Sequence, residues 1–296
     1  MNTPKTFTDA ISAFRAEAES MLGVIPGQIH PDGELHRFKT ENDKRGQLSG
    51  WYVLHLDGVP AGVFGDWKKS LSRTWCAVDR NSLPPVERLP MDRHIQEQKA
   101  KAEEHREKCR QEAAEKARKL WSWAKPADPA HPYLQAKQVD PAGLRQHGAT
   151  LLVPLTDGLS LVNLQRIFPD GSKRFLPGGR VSGCWSPLAG SDGVLYVCEG
   201  WATGATIRAV TGSQVACAMN CGNLLQVART LRKRSPGRRI IIAGDNDRFT
   251  EGNPGLQAAK RAAQAVGGDW MVPQFPDELP GTDFNDLACL ELEGRL

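Results

Sequence analysis

The sequence predicts an α/β protein whose last hundred residues fold as a parallel sheet covered by helices. Two observations lead there. From Val194 to Val272, short apolar runs alternate with helical stretches at the spacing of strand–helix–strand units. From Asp92 to Trp123 no Gly or Pro interrupts a run of helix formers, which sets that region apart from what precedes it. The 296 residues, 40% hydrophobic and 24% charged, suffice for two compact domains and a connector.

Taken in order, residues 1–85 read as a small α+β domain. A helix is expected over 7–22, then strands over 50–56 and 59–64 around the turn Asp57-Gly58. Pro84, Pro85 and Pro90 break the chain before the long helix, and residues 86–125 are its connecting segment. In that helix Glu97/Lys101, Glu104/Lys108, Glu112/Lys116 and Glu115/Lys119 are spaced for ion pairs in the favourable order. Its apolar stripe of Ala102, Cys109, Ala113, Ala117 and Leu120 is thin, so a solvated connector is expected.

Residues 126–190 follow as a small basic α+β subdomain, with strands over 151–155 and 160–167 and turns at Asp157-Gly158 and Asp170-Gly171. The basic, glycine-rich run from Lys173 to Arg180 comes next. In residues 191–296 strands are expected over 194–198, 214–218, 239–243 and 269–272, with helices over 202–210, 224–234 and 254–266. Pro254 stands at the start of the last helix, where a missing N–H costs nothing.

No apolar run approaches the roughly 20 residues that span a bilayer, and the first ten residues lack the layout of a secretory signal. A soluble, cytoplasmic protein is expected. The cysteines Cys76, Cys109, Cys184, Cys198, Cys217, Cys221 and Cys289 include no CxxC pair, so neither a disulfide framework nor a zinc site is expected. The net charge of +4 is uneven: residues 1–125 carry +3, residues 126–190 carry +2 and the remainder −1. Such a gradient suits a polyanion held in front of a metal site.

Ligands of open parallel sheets bind at the carboxyl ends of the strands. Two predicted strands run into acids there: 195–198 into Glu199-Gly200, and 240–243 into Asp245-Asn246-Asp247. A carboxylate directly after an apolar strand is costly unless it is paired or holds a cation. Asp245 and Asp247 share a side if the backbone stays extended, which suits Mg2+ or Mn2+.

A strand-end Glu-Gly followed one unit later by Asp-x-Asp resembles the TOPRIM domain, a Rossmann-like parallel sheet with helices on both faces. The runs EGWATGATIRAVTG, AMNCGNLLQVA, GDNDRFTEGNPG and TDFNDLA are similar to plasmid- and phage-encoded primases of the TraC-like and satellite-phage types, related to the DnaG catalytic core. The resemblance implies a DNA primase of a mobile element that makes short RNA primers on single-stranded DNA from nucleoside triphosphates. It implies Glu199, Asp245 and Asp247 as catalytic and metal-binding residues, Asp283 as a further metal ligand and Asp286 as a weaker one. It leaves open whether Glu199 is ligand or general base. Thr203 stands where cellular primases often carry an aspartate, which lowers the number of ligands.

Arg166, Lys173 and Arg174, with Arg180 as a weaker fourth, are expected to bind nucleotide or template phosphate. The segment Trp67, Lys68, Lys69, Arg73 and Trp75 has the composition of a single-strand contact, although tryptophans in a small β unit commonly serve the core. Two alternatives remain, a metal-dependent TOPRIM nuclease and a non-catalytic adaptor for single-stranded DNA. A topoisomerase would need a tyrosine nucleophile, and Tyr52, Tyr133 and Tyr196 lie in no such setting. Without a Walker motif in this sequence, unwinding is expected from another polypeptide, such as a separate replicative helicase, or from sequence absent from this chain.

Overall fold

A computed structural model describes residues 7–41, 43, 46–57, 59–69, 71–78 and 85–296. Gly58 of the expected turn and Pro84 of the expected break lie outside these residues. The chain divides into two units, Met1–Ala102 and Glu103–Leu296.

In the first unit helix α1 (Phe7–Leu22) covers one face of an antiparallel sheet of β1 (His36–Phe38), β2 (Gly50–His55), β3 (Ala61–Asp66) and β4 (Leu71–Cys76), in that order. Alternation along β2 and β3 turns Tyr52, Leu54 and Phe64 toward α1, where Phe14 meets Tyr52, Phe64 and Trp75 edge-on. A Cβ on Gly62 would come 2.7 Å from the Phe14 ring, so only glycine admits the helix this closely. The β2–β3 register pairs Tyr52 with Phe64 and Leu54 with Gly62. Both strands therefore sit a little off the expected hairpin, with a longer loop. β1 and β4 were not expected: β1 is three residues long, and three successive polar residues, Ser72, Arg73 and Thr74, occupy the middle of β4.

Helix α2 spans Pro85–Trp123 and so begins before the expected break. Pro85 opens it, where the N–H groups have no partner in any case, and Pro90 forgoes one bond without ending it. One face of its last turns is buried and the rest is solvated. Ala113 and Ala117 are buried, and Leu120 and Trp121 pack on Leu152, Leu164 and Leu176 of the second unit. Among the described residues the expected lysine pairs do not form. Instead Arg106 pairs with Glu103 at 2.7 Å, and Arg110 reaches both Glu103 and Glu107. The longer guanidinium forks collect the carboxylates, and each exposed pair contributes about 0–1 kcal/mol.

The second unit holds two sheets. The first is antiparallel, in the order β5 (Lys125–Pro126), β6 (Arg145–His147), β7 (Thr150–Thr156), β8 (Leu161–Ile167) and β9 (Lys173–Phe175), with helix α3 (Pro132–Lys137) between β5 and β6. The second comprises β10 (Ser186–Leu188), β11 (Ser191–Cys198), β12 (Ser213–Cys217), β13 (Arg239–Ala243) and β14 (Asp269–Met271) in the order β10-β12-β11-β13-β14. All its pairs are parallel except β10 with β12.

Helices α4 (Trp201–Thr211), α5 (Leu224–Arg234), α6 (Pro254–Val266) and α7 (Phe284–Leu292) complete the unit. Val227, Leu231, Ala259 and Ala263 of α5 and α6 pack with Val197, Ile240 and Ile242. On the other side Trp201 and Ile207 of α4 share one core with Leu134 of α3 and with Leu151, Val153 and Ile167 of the antiparallel sheet. That shared core joins the two sheets; each fully buried Leu, Ile or Val in it is worth about 1.5–3 kcal/mol. The expected α/β layout is thus present, with helices on both faces. β10 and α7 are additions. Among the described residues no helix is long and apolar enough to cross a membrane.

Candidate active site at the carboxyl edge of the parallel sheet

β11 and β13 lie side by side with Cys198 opposite Ala243, so the residues that follow them leave the sheet at the same edge. Glu199 follows β11 and is buried, with only 9% of its surface exposed. Gly200 caps α4 in extended conformation, and the Glu199 carbonyl accepts the Met219 N–H at 2.7 Å. Beyond β13, the Asp245 N–H donates to Glu199 Oε1 at 3.3 Å. Its own Oδ1 is buried with no hydrogen-bond partner.

The loop after Asp245 is fixed from several sides. Asp247 Oδ2 accepts the Gly255 N–H at 2.9 Å, from the first turn of α6. A Cβ on Gly255 would fall 2.5 Å from the Asp245 carbonyl oxygen, so the helix approaches the acids only through glycine. Asn253, left-handed at φ 44, caps α6 and donates to Asn246 Oδ1. The Asn246 N–H donates to the Thr282 carbonyl, and the Arg248 guanidinium donates to the carbonyls of Phe275, Pro276 and Leu279. The 273–282 segment thereby brings the third acidic motif to the same edge. There Asp283 caps α7, its Oδ1 accepting the N–H groups of Asn285 and Asp286 at 2.7 and 2.9 Å.

The electrostatics bind these acids into one site. Burial, reinforced by Glu199, Asp283, Asp247 and Asp286, pushes the Asp245 carboxyl up to about 8. Burial likewise lifts Glu199 to about 7, against the Asp245 N–H and with the help of Asp247 and Asp283. Among the described residues, no three His, Cys, Asp or Glu side chains stand close enough to enclose an ion as they lie. Part of the reason is that Asp247 and Asp283 each commit an oxygen to a helix N-terminus. The donor set itself fits a hard divalent cation: it is all carboxylate, buried at its centre, with the Asp245 oxygen unpartnered.

Cations of the protein stand next to the acids. Lys137, at the end of α3, reaches Asp286 Oδ1 at 3.1 Å. Burial works against its charge, but Asp283 and Asp286 prevail and its pKa is raised. Lys173 is opposite Ile167 and lies over the Tyr133 ring at 5.2 Å. Burial and the neighbouring Lys137 lower its pKa, against the pull of Asp283 and Asp245. Both lysines, with Tyr133, Asp286 and Arg295, line a cleft of about 530 Å³. Lys137 has no sequence signal: it is a lone lysine on a six-residue helix.

The other basic candidates go elsewhere. Arg166 and Arg174 are direct cross-strand partners, on the face that also carries Leu152 and Leu164, opposite to that of Lys173. Like charges so placed repel unless an anion lies between them. Arg180 is near Asp157, 3.9 Å away, at the far end of the β7–β8 hairpin and roughly 20 Å along the strand from Lys173. In the first unit Trp75 packs on Phe14, Lys68 is held by buried Asp43 at 2.8 Å, and Arg73 faces Glu17 at 3.7 Å. Trp67 and Lys69 are exposed.

Residues 194–294 match the Toprim domain family. Over 95% of its length the chain is similar to two Escherichia coli proteins named DNA primase TraC, with 36% and 34% identity. It spans 29% of the first and 21% of the second. The primase fragment of the bacteriophage T7 primase-helicase protein is a distant structural neighbour, with a TM-score of 0.39 and 15% identity over 56% of this chain and 70% of that one.

Proposed function

We propose, from the premise that the chain carries a Toprim domain over residues 194–294, that it is the catalytic part of a DNA primase serving a plasmid, phage or integrated element. It joins nucleoside triphosphates into short RNA primers on single-stranded DNA. The observation that carries this reading is the meeting of buried Glu199 with half-buried Asp245 at one sheet edge, with Lys137 and Lys173 beside them.

Nucleotide joining needs an activated 3′-hydroxyl and a neutralised triphosphate. A bound Mg2+ or Mn2+ supplies charge stabilisation on the attacking and leaving oxygens. Glu199, Asp245, Asp247 and Asp283 are the residues that hold it, with Asp286 tethered to Lys137 at the margin. Lys137 and Lys173 bind phosphate oxygens in the cleft they line. Arg166 and Arg174 take a backbone phosphate between them on the other face of the antiparallel sheet, and Arg180 is a further template contact. The domain reading is 1–85 for template binding, 86–125 as connecting helix, 126–190 as basic subdomain and 191–296 as Toprim. A separate helicase supplies the unwinding; failure of the element's own helicase to bind the chain in a pull-down counts against that partner.

The test is incubation with single-stranded circular DNA, labelled nucleoside triphosphates and Mg2+ or Mn2+. Wild type makes labelled oligomers, and Asp245→Ala lowers the yield by about 100-fold or more. Shortening of the DNA without incorporation turns the assignment to a nuclease.

A further inference from the structure

Among the described residues, α1 covers one face of the first unit's sheet. Directly opposed residues of antiparallel strands share a face. The register therefore lays Arg37, Trp51, Gly65 and Ser72 in one row of the other face, and Val53, Val63 and Thr74 in the next. The Trp51 ring lies across Gly65, where a Cβ would come within 2.8 Å of it. Trp67, just beyond β3, stacks on Trp51 with centroids 5.6 Å apart and planes 21° apart. The Arg37 guanidinium lies 4.6 Å from the Trp67 ring centre, its Nη2 fixed by donating to the Leu48 carbonyl. Arg37 and Trp51 are cross-strand partners, so both meet Trp67 from the sheet, and 47% of its surface stays in water.

A purely structural cover for the sheet explains this poorly. It would bury the outer ring instead of leaving it half in solvent. It would also avoid the Trp51 indole N–H, which is buried with no acceptor among the described residues; a phenylalanine would incur no such cost. Charge points to a polyanion: residues 36–76 carry seven Lys and Arg against four Asp and Glu. Lys69, in the same turn as Trp67, is exposed.

We propose that Trp67, supported by Trp51 and Arg37, is a stacking platform for unpaired bases of single-stranded DNA, with Lys69 at the adjacent phosphate. Every base has a π-face, so the platform is tolerant of sequence, and a duplex hides those faces. Its role as template holder rests on the primase reading; the binding itself does not. Of the stretch from Trp67 to Trp75, only its first turn serves, since Trp75 belongs to the core and Lys68 to Asp43.

The test uses the full chain without nucleotides and a labelled oligo-dT, read by anisotropy and by quenching of tryptophan fluorescence. Trp67→Ala weakens binding by about fivefold or more, Trp67→Phe keeps it within about twofold, and a duplex of equal length does not compete. A chain that makes no primers but still loses affinity on Trp67→Ala keeps the platform and sinks the primase reading. Equal affinity of Trp67→Ala and wild type overturns the platform, whatever the synthesis assay shows.

Discussion

Asp43 in the first unit is buried and Asp245 in the second is half-buried with its Oδ1 out of reach of water, and the fold treats the two aspartates in opposite ways. Asp43 Oδ2 accepts the N–H groups of Thr40 and Ser49 at 3.0 and 2.8 Å, and its Oδ1 faces the Lys68 ammonium at 2.8 Å. Burial alone would raise its pKa, but Lys68 and these donors outweigh burial and lower it. Asp245 has an unpartnered Oδ1 and further carboxylates for neighbours, and it is raised. Burial is common to both, so the neighbouring charge decides the sign. The first arrangement is built for stability. The second concentrates negative charge that the protein's own cations leave uncompensated, which suits a site that takes its cation from solution.

The comparison breaks most sharply at Asp245→Asn. This change removes a charge from the crowded edge, so the metal-free protein should melt higher at pH 8, by about 2–4 °C for each kcal/mol relieved, while the primer synthesis proposed for the chain falls by about 100-fold or more. A lower melting temperature in that state would contradict the contrast. Lys68→Met should sharpen it from the other side by leaving Asp43 buried without its cation. The first unit then loses thermal stability at neutral pH, and the Asp43 carboxyl, followed by NMR, titrates at higher pH than in wild type.

Gly255→Ala, which drives a methyl toward the Asp245 carbonyl and the Asp247 carboxylate, should cost about 1–3 kcal/mol. It should weaken Mn2+ binding more than oligonucleotide binding. The pH dependence of stability separates the two regions by sign. Asp43, lowered in the folded chain, stabilises fully above the unfolded value near 4 and loses that contribution as pH falls through its folded pKa. Glu199 and Asp245, raised to about 7 and about 8, work the other way. Metal-free stability declines as pH rises from about 4 through those values, and Mg2+ restores more of it at pH 8 than at pH 6. Melting curves across pH 3–9, with and without Mg2+, measure both slopes.

Much of the Toprim region was legible in the sequence. The limits 224–234, 239–243 and 254–266 agree with α5, β13 and α6, because β-branched runs, Pro254 at a helix start and glycines at helix ends are strong local signals. α7 escaped notice because its cap, Asp283, carries the same residue type as a metal ligand, and a carboxylate can serve either role. Lys137, the division of Lys173 from Arg166 and Arg174 by strand alternation, and the burial of the α2 end all depend on tertiary pairing. No local pattern encodes that pairing. In the first unit the aromatic–basic stretch was visible as composition, but only the tertiary pairing separates exposed Trp67, just beyond β3, from Trp75 of β4, which packs against the core.

The most direct measurement is an Mn2+ titration of the full chain at pH 8, by electron paramagnetic resonance or calorimetry, for wild type, Asp245→Asn and Glu199→Gln. If the uncompensated carboxylates are a cation site, wild type binds Mn2+ and both variants lose that binding while remaining folded. Identical titrations for all three proteins would show that the buried acids at this edge hold no metal, and the assignment built on them would fall.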